Sequence, residues 1–292
     1  MFNDNASVIS EASSFSPDMD DITSPGSGVD ESAKVEMYES KVKEALELAT
    51  QKSAAGRVKA LEAICSAFLK RYCPDFVENQ QVNLKNIFEK LFHCAHVQMT
   101  TCDVVERSLK KGKGGEVEAG ARLGMLLGMQ LSDPENIYKE LKTLLVQMVL
   151  DKTASPGSRA AVASTLAGLC FIGGGEMAEV VSVMSTLETV FTPAYSKSDY
   201  PPEISALHAA CLSGWSLLLS LQSPGEVHRI ADNFTKKFEA VLQSNDVDLR
   251  ITAGEAIALV LEFAYDYDEV RKDLKNLNNK LRHLSEMQDD IS

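Results

Sequence analysis

Small and aliphatic residues recur along this chain in one pattern, and the pattern is most complete at 250–262, RITAGEAIALVLE. With Arg250 as position zero, equivalent stretches begin at Glu203, Arg159, Glu116 and Arg57. Position +3 is then Ala60, Ala119, Val162, Ala206 and Ala253, and position +8 is always small: Cys65, Gly124, Ala167, Cys211 and Ala258. Position +7 is Ile64, Leu123, Leu166, Ala210 and Ile257. At 3.6 residues per turn these positions share one helix face. The small residues let a neighbouring helix approach closely, and the aliphatic one fills the groove between. The starts at 116, 159, 203 and 250 are 43, 44 and 47 residues apart, the length of a two- or three-helix repeat.

The spacing predicts a partner helix within each repeat. A first helix is expected over 34–51, with Val35, Val42, Ala45, Leu46 and Ala49 on one face, followed by 57–72, which stops at Pro74. Helix 117–131 pairs with 136–150 across SDPE, 159–172 with 178–191 across Gly173, Gly174 and Gly175, and 203–221 with 227–242 across SPGE. These turns, and SPGS before 159, place Ser with Pro or Gly where a helix start needs a cap. The first interval, 59 residues, leaves room for an additional helix, which 84–97 supplies with Ile87, Phe88, Leu91, Phe92 and Ala95. The loop over 192–202 is the longest between hairpins, and Tyr195, Tyr200, Pro201 and Pro202 make it a candidate recognition loop. Leu274, Leu277, Leu281 and Leu284 recur at 3-4-3 spacing and predict a helix over 270–287 that caps the stack or begins a short coiled coil. The expected fold is all-α, a right-handed α-solenoid of armadillo/HEAT-like helical repeats over 33–292. An acidic, Ser-rich tail over 1–32 is too poor in aliphatic residues to offset the entropy of ordering.

Charge narrows the function. A formal net charge of -13 and a pI near 4.9 disfavour a protein that coats nucleic acid with its whole surface, so any contact with phosphates needs a local basic patch. Lys110, Lys111 and Lys113, in the stretch KKGKGG, are the candidate partner-binding residues. Two readings of that stretch stand side by side: a helix-ending loop with capping glycines, or a small cationic contact surface. A phosphate loop would need GxxxxGK[ST] after a strand, and the spacing is wrong.

The six cysteines form no CxxC pair, and Cys65, Cys170 and Cys211 fall on faces expected to be buried. Together with an opening that carries no secretory signal, they point to a reducing compartment, cytoplasmic and nuclear. The longest apolar run, 212–221, is interrupted by Ser213, Gly214 and Ser216 and is too short to span a bilayer. His93, Cys94, His96 and Cys102 come nearest to a metal cluster. Zinc sites usually add a second tight ligand pair, so these are read as helix residues of an unusual insert. His208 and His228 are expected at the surface or in a groove, and Trp215 in packing. No catalytic spacing is present, so neither an enzyme, a cofactor nor a small-molecule substrate is expected.

Five contiguous blocks carry a resemblance: KALEAICSAFLKRYCPDF at 59–76, ERSLKKGKGGE at 106–116, LCFIGGGEMAE at 169–179, GWSLLLS at 214–220 and NDVDLRITAGEAIALVLEFA at 245–264. They resemble the interferon-related developmental regulators. The resemblance implies an armadillo-like helical domain in a non-enzymatic regulator of gene expression and differentiation that works through protein partners. It implies two modes of action. One is association with ribosomes to hold translation down, with Lys110, Lys111 and Lys113 as the surface that would meet rRNA. The other is nuclear co-regulation of transcription through repressor complexes. Against the family pattern, most of 84–97 looks inserted. The basic carboxy-terminal domain expected after residue 292 is missing, so the chain is read as a truncated form, a shortened isoform or a divergent member.

Overall fold

The computed structural model describes residues 31–78 and 105–265, apart from 106, 107, 111, 113, 132 and 198, together with 272. The expected tail up to residue 30, the helix over 84–97 and all of 270–287 except Lys272 lie outside the described residues. Among the described residues every regular element is a helix and no strand occurs. The chain divides into two compact units, Met1–Ser132 and Asp133–Ser292.

In the first unit, α1 (Glu31–Leu48) packs on α2 (Ala54–Lys70), and α2 packs on α3 (Gly115–Gln130). The face of α1 that buries Tyr38, Val42, Ala45 and Leu46 is the one the apolar spacing selects, with Tyr38 added because its hydroxyl donates to Ala67 O at 3.0 Å. Ser53 starts α2, its side chain accepting the Gly56 amide. The end of α2 is held by a residue from the far end of α3. Gln130 is buried; its Nε2 donates to Phe68 O and Arg71 O, both at 2.9 Å, and its Oε1 accepts the Cys73 amide at 2.8 Å. One side chain thus satisfies carbonyls that a helix end leaves unpaired.

The second unit runs through α4 (Pro134–Leu150), α5 (Pro156–Gly173), α6 (Met177–Phe191), a 3-10 turn (Thr192–Tyr195), α7 (Pro202–Leu219), α8 (Pro224–Leu242) and α9 over 247–265. Four of these helices open on proline, whose fixed φ suits the first turn and whose missing N–H is no loss there. Ser155 and Ser223 cap α5 and α8 through the amides of Ser158 and Glu226. α5 packs against α4, α6 and α7, and α6 packs against α4 and α7. Small residues set the closest approaches: a Cβ at Gly214 would lie 2.7 Å from Ala167 Cβ, and one at Gly173 would lie 2.6 Å from Pro134 O. Lys142 of α4 forms an ion pair with Glu179 of α6, which also accepts from the Tyr138 hydroxyl.

The helices expected to start near 57, 116, 159, 203 and 250 start at 54, 115, 156, 202 and 247. The arginine at position zero has a consistent role. Arg57 donates to Gln51 O and Lys52 O, Arg159 to Val149 O and Arg250 to Ser244 O, each time to carbonyls at or just past the end of the preceding helix. The small position +8 is buried at Cys65, Gly124, Ala167 and Cys211 but exposed at Ala258, and Ala206 at +3 is exposed. On α7 the buried face turns toward Leu207, His208, Cys211 and Trp215, whose larger side chains take the interior.

Ala253 has no exposed surface. Ala253→Leu is therefore expected to overpack this contact and cost about 1–3 kcal/mol. Ala206→Leu, at the equivalent but exposed position, should stay within about 0.5 kcal/mol. Urea denaturation of the two variants distinguishes them, and equal costs would refute the packing assignment.

Candidate partner-binding surfaces

The basic stretch sits between a helical segment that buries Val105, Ser108 and Leu109 and the start of α3. Lys110 is exposed at the end of that segment; Lys111 and Lys113 lie outside the described residues. The Gly112 amide donates to Ser108 O at 3.0 Å, and a Cβ at Gly112 would lie only 2.2 Å from that oxygen. Gly114 has φ +52°, a conformation that favours glycine, and its carbonyl accepts the amides of Val117 and Glu118. Gly112, by its close approach to Ser108 O, and Gly114, by its positive φ, thus occupy places that favour glycine between one helix end and the next, as the capping reading expects.

The first turn of α3 carries Glu116 and Glu118, the sign that suits a helix amino terminus. Glu116 is 5% exposed and takes two hydrogen bonds from Arg57, from Nε at 2.7 Å and from Nη2 at 2.8 Å. The hydrogen bond to Glu116 raises the Arg57 pKa further, so the guanidinium stays charged. The loop is therefore fastened to α2 at its carboxy-terminal edge.

A second surface is a cleft of about 310 Å³ formed by α6, α7 and α8. Trp215 and Phe234 lie on its floor, stacked with centroids 4.9 Å apart, and Val181, Met184 and Ile230 line it. Gln222 Nε2 lies 3.5 Å from Met184 Sδ and 3.2 Å from Met177 Sδ, and Met177 and Val181 are half exposed one helical turn apart. The rim is charged and internally paired, Glu226 with Arg229 and Glu188 with Lys237. Arg229 holds the Glu226 carboxyl below the usual carboxylate range. The cleft's residues come from three helices and the turn between α7 and α8, so no local motif announces it; the nearest signal is the exposed Met177–Val181 pair.

The loop over 192–202 does not present its aromatics as a recognition loop would. Thr192–Tyr195 is a 3-10 turn, and Tyr195 packs edge-on against Phe191 and Phe238 at 5.8 and 5.1 Å. Burial pushes the Tyr195 phenol pKa up. Tyr200 meets the His208 ring at 4.9 Å and donates to Pro193 O. His208 is correspondingly buried, not at the surface or in a groove. Hydrophobic area on the rings outweighs exposure of their polar tips.

Burial, with the Arg159 guanidinium nearby, pushes the His208 imidazole down to about 4. In the unfolded chain it titrates near its ordinary value of about 6.5. Between these values the unfolded state binds the extra proton, so stability contributed by the neutral ring is present above about 6.5 and lost as pH falls toward about 4. His208→Leu should flatten that fall, measured by urea midpoints at neutral pH and at pH about 5. An unchanged slope would show that His208 does not carry it. Burial also pushes the Cys65 and Cys211 thiols up to about 12, which keeps them protonated and unreactive.

Among the described residues no group of three or more His, Cys, Asp or Glu is placed to hold a metal ion, and no helix is long and apolar enough to cross a membrane. His93, Cys94, His96 and Cys102 lie outside those residues. A sequence model of one family, described as Interferon-related developmental regulator (IFRD), matches residues 5–96 and 93–291. The chain belongs to this family. It is similar to Interferon-related developmental regulator 2 of Mus musculus, 33% identical over 270 residues, covering 89% of this chain and 57% of the relative. Interferon-related developmental regulator 1 of Sus scrofa is 32% identical over 291 residues, covering 96% and 60%, and that of Homo sapiens is 31% identical, covering 96% and 59%. The chain thus spans about three-fifths of the length of these curated relatives. Within this interferon-related developmental regulator, the basic loop and the cleft both fall in the second matched stretch.

Proposed function

We propose that the chain is a non-enzymatic helical-repeat scaffold that regulates gene expression by binding ribosomes and holding translation down. Family membership carries the reading: the relatives are named developmental regulators, not enzymes. A right-handed α-solenoid of armadillo/HEAT-like repeats is supported by helices of the second unit that pack on neighbours one and two places along the chain, and by the recurring arginine tie between a helix and its predecessor. No cofactor, small-molecule substrate or membrane enters this reading.

In the ribosomal reading the protein acts in the cytoplasm, and contact with rRNA needs a positive field local enough to survive a net charge of -13. Screening over about 8 Å at physiological salt lets one survive around Lys110, Lys111 and Lys113. A second reading, a nuclear transcriptional co-regulator that binds repressor-complex proteins during differentiation, is favoured by the cleft of α6, α7 and α8, which suits an apolar segment of a protein partner. Replacing Lys110, Lys111 and Lys113 together by glutamate is expected to reduce co-sedimentation with ribosomes while leaving the thermal midpoint nearly unchanged. Binding by the parent chain should weaken as salt rises, because neutralised phosphates release counterions. Sedimentation that ignores both changes would remove the basic loop from the mechanism. Affinity capture from cytosolic and nuclear fractions, with and without RNase, then decides between the two readings.

A further inference from the structure

α9 carries apolar residues on two opposite sides. One side, Leu249, Ala253, Ala256 and Val260, is buried. The other, Val247, Ile251, Gly254, Ala258, Leu261 and Tyr265, recurs at 4-3-4-3-4 spacing. Val247 is 56% exposed, Ile251 54%, Leu261 49% and Tyr265 63%. Ala258 is exposed as well, and a Cβ at Gly254 would meet nothing within 4 Å, so the middle of the strip is low and open. The strip runs about 27 Å along the helix, or about five turns. A helix face turned to water is normally polar, and a helix apolar on both sides belongs between two layers.

The strip has a coiled-coil register. With Ile251, Ala258 and Tyr265 at heptad position a and Val247, Gly254 and Leu261 at d, position e is Asp248, Glu255 and Glu262. All three acids are exposed, and no ion pair among the described residues engages any of them. Position g is Arg250, Ile257 and Ala264. Its single charge, Arg250, donates to Ser244 O. One edge of the strip is therefore acidic along its whole length.

We infer that this strip docks a basic amphipathic helix of a protein partner. The partner sets large aliphatic side chains over Gly254 and Ala258, and Lys or Arg along the edge that faces Asp248, Glu255 and Glu262. The small residues select the first feature, because knobs need holes. The acidic edge selects the second, because e and g charges decide which helices pair and like charges set opposite each other are costly. Nucleic acid and acidic helices are repelled by the same edge. A second copy of the strip fits poorly. In antiparallel order its acidic edge meets the acidic edge of α9, and in parallel order it meets the g edge, whose one cation is tied to Ser244 O. This surface is separate from the cleft of α6, α7 and α8 and from the basic loop.

The probe is a three-heptad peptide with Leu at every a and d and Lys at every e and g, alongside a matched peptide with Glu in place of Lys. The whole chain should bind the Lys peptide and not the Glu peptide. Asp248→Lys, Glu255→Lys and Glu262→Lys together should weaken Lys-peptide binding at least tenfold and gain the Glu peptide. Ile251→Asp with Leu261→Asp should abolish Lys-peptide binding by the parent edge. These positions are exposed, so helical circular dichroism should be retained throughout. As a second measurement, the thiol of Ala258→Cys, followed by peptide mass spectrometry, should react with maleimide as an exposed thiol does and at least tenfold more slowly with the Lys peptide present. Equal binding of the two peptides by the parent chain, or Lys-peptide binding that ignores the reversed edge, would overturn the assignment. So would a thiol at 258 that is protected without peptide. Protection at every dilution would give the strip to another part of the same chain, and protection that fades on dilution would give it to a second copy.

Discussion

Replacing Arg57 with leucine is expected to destabilise the amino-terminal unit by about 3–5 kcal/mol, the cost of leaving a buried ion without its partner. Glu116 keeps only 6% of its side-chain surface, against 16% for Arg57, so it is the carboxylate for which water cannot take over. The loss would be compound. The carboxylate gives up two charge-assisted bonds, and the carbonyls of Gln51 and Lys52 give up the donor that closes the end of α1. Arg57→Leu together with Glu116→Leu should recover a large part of the loss, since no uncompensated charge remains inside. The coupling is read from a double-mutant cycle in urea. If Arg57→Leu cost under about 1 kcal/mol, the pair would behave as an exposed ion pair and the fastening of the basic loop to α2 would fail.

That pair also shows what a sequence of this kind conceals. The helix starts were legible because small and aliphatic positions recur at one spacing and because Ser, Pro and Gly mark the caps. The family was legible for a related reason: its blocks, such as 245–264, are contiguous. The basic loop could be seen as six neighbouring letters, and the reversal at Gly112 and Gly114 gives those glycines the capping place expected of them. Arg57 and Glu116, by contrast, are 59 positions apart, and Gln130 reaches back across a similar interval to end α2. The spacing marks each of Arg57 and Glu116 as a helix start, but neither their pairing nor the reach of Gln130 leaves a periodic trace. The template also fixes a face only to within a rotation. On α7 a turn of the helix about its axis exposes Ala206 and buries His208, and the same indifference hides the cleft, whose lining depends on how three helices are rotated against one another.

Trp215→Ala is expected to cost the carboxy-terminal unit about 3–5 kcal/mol, at the upper end for removal of one core side chain. The indole is 3% exposed and lies nearly parallel to Phe234, with an angle of 10° between planes, while Phe191 meets it edge-on at 6.4 Å. Phe191 in turn touches Phe238, which stacks on Phe234 at 4.0 Å, so the ring closes a circuit joining α6, α7 and α8. Each such pair adds about 0.5–1.5 kcal/mol to the burial itself, and all of those made by Trp215 go at once. The site is poorly placed to collapse, because the neighbouring Gly214 has no room even for a Cβ, which would lie 2.7 Å from Ala167 Cβ. Trp215→Phe should cost less, keeping a ring over Phe234. Since Trp215 is the chain's single tryptophan, its fluorescence reports unfolding of this unit in the parent protein, and circular dichroism follows the variants. A loss under about 1 kcal/mol for Trp215→Ala would place the indole among surface contacts and detach the cleft floor from the core. The full loss would mean that the surface best suited to an apolar partner is built on side chains the fold cannot surrender, so partner binding there must be probed at Val181 and Ile230, above the floor.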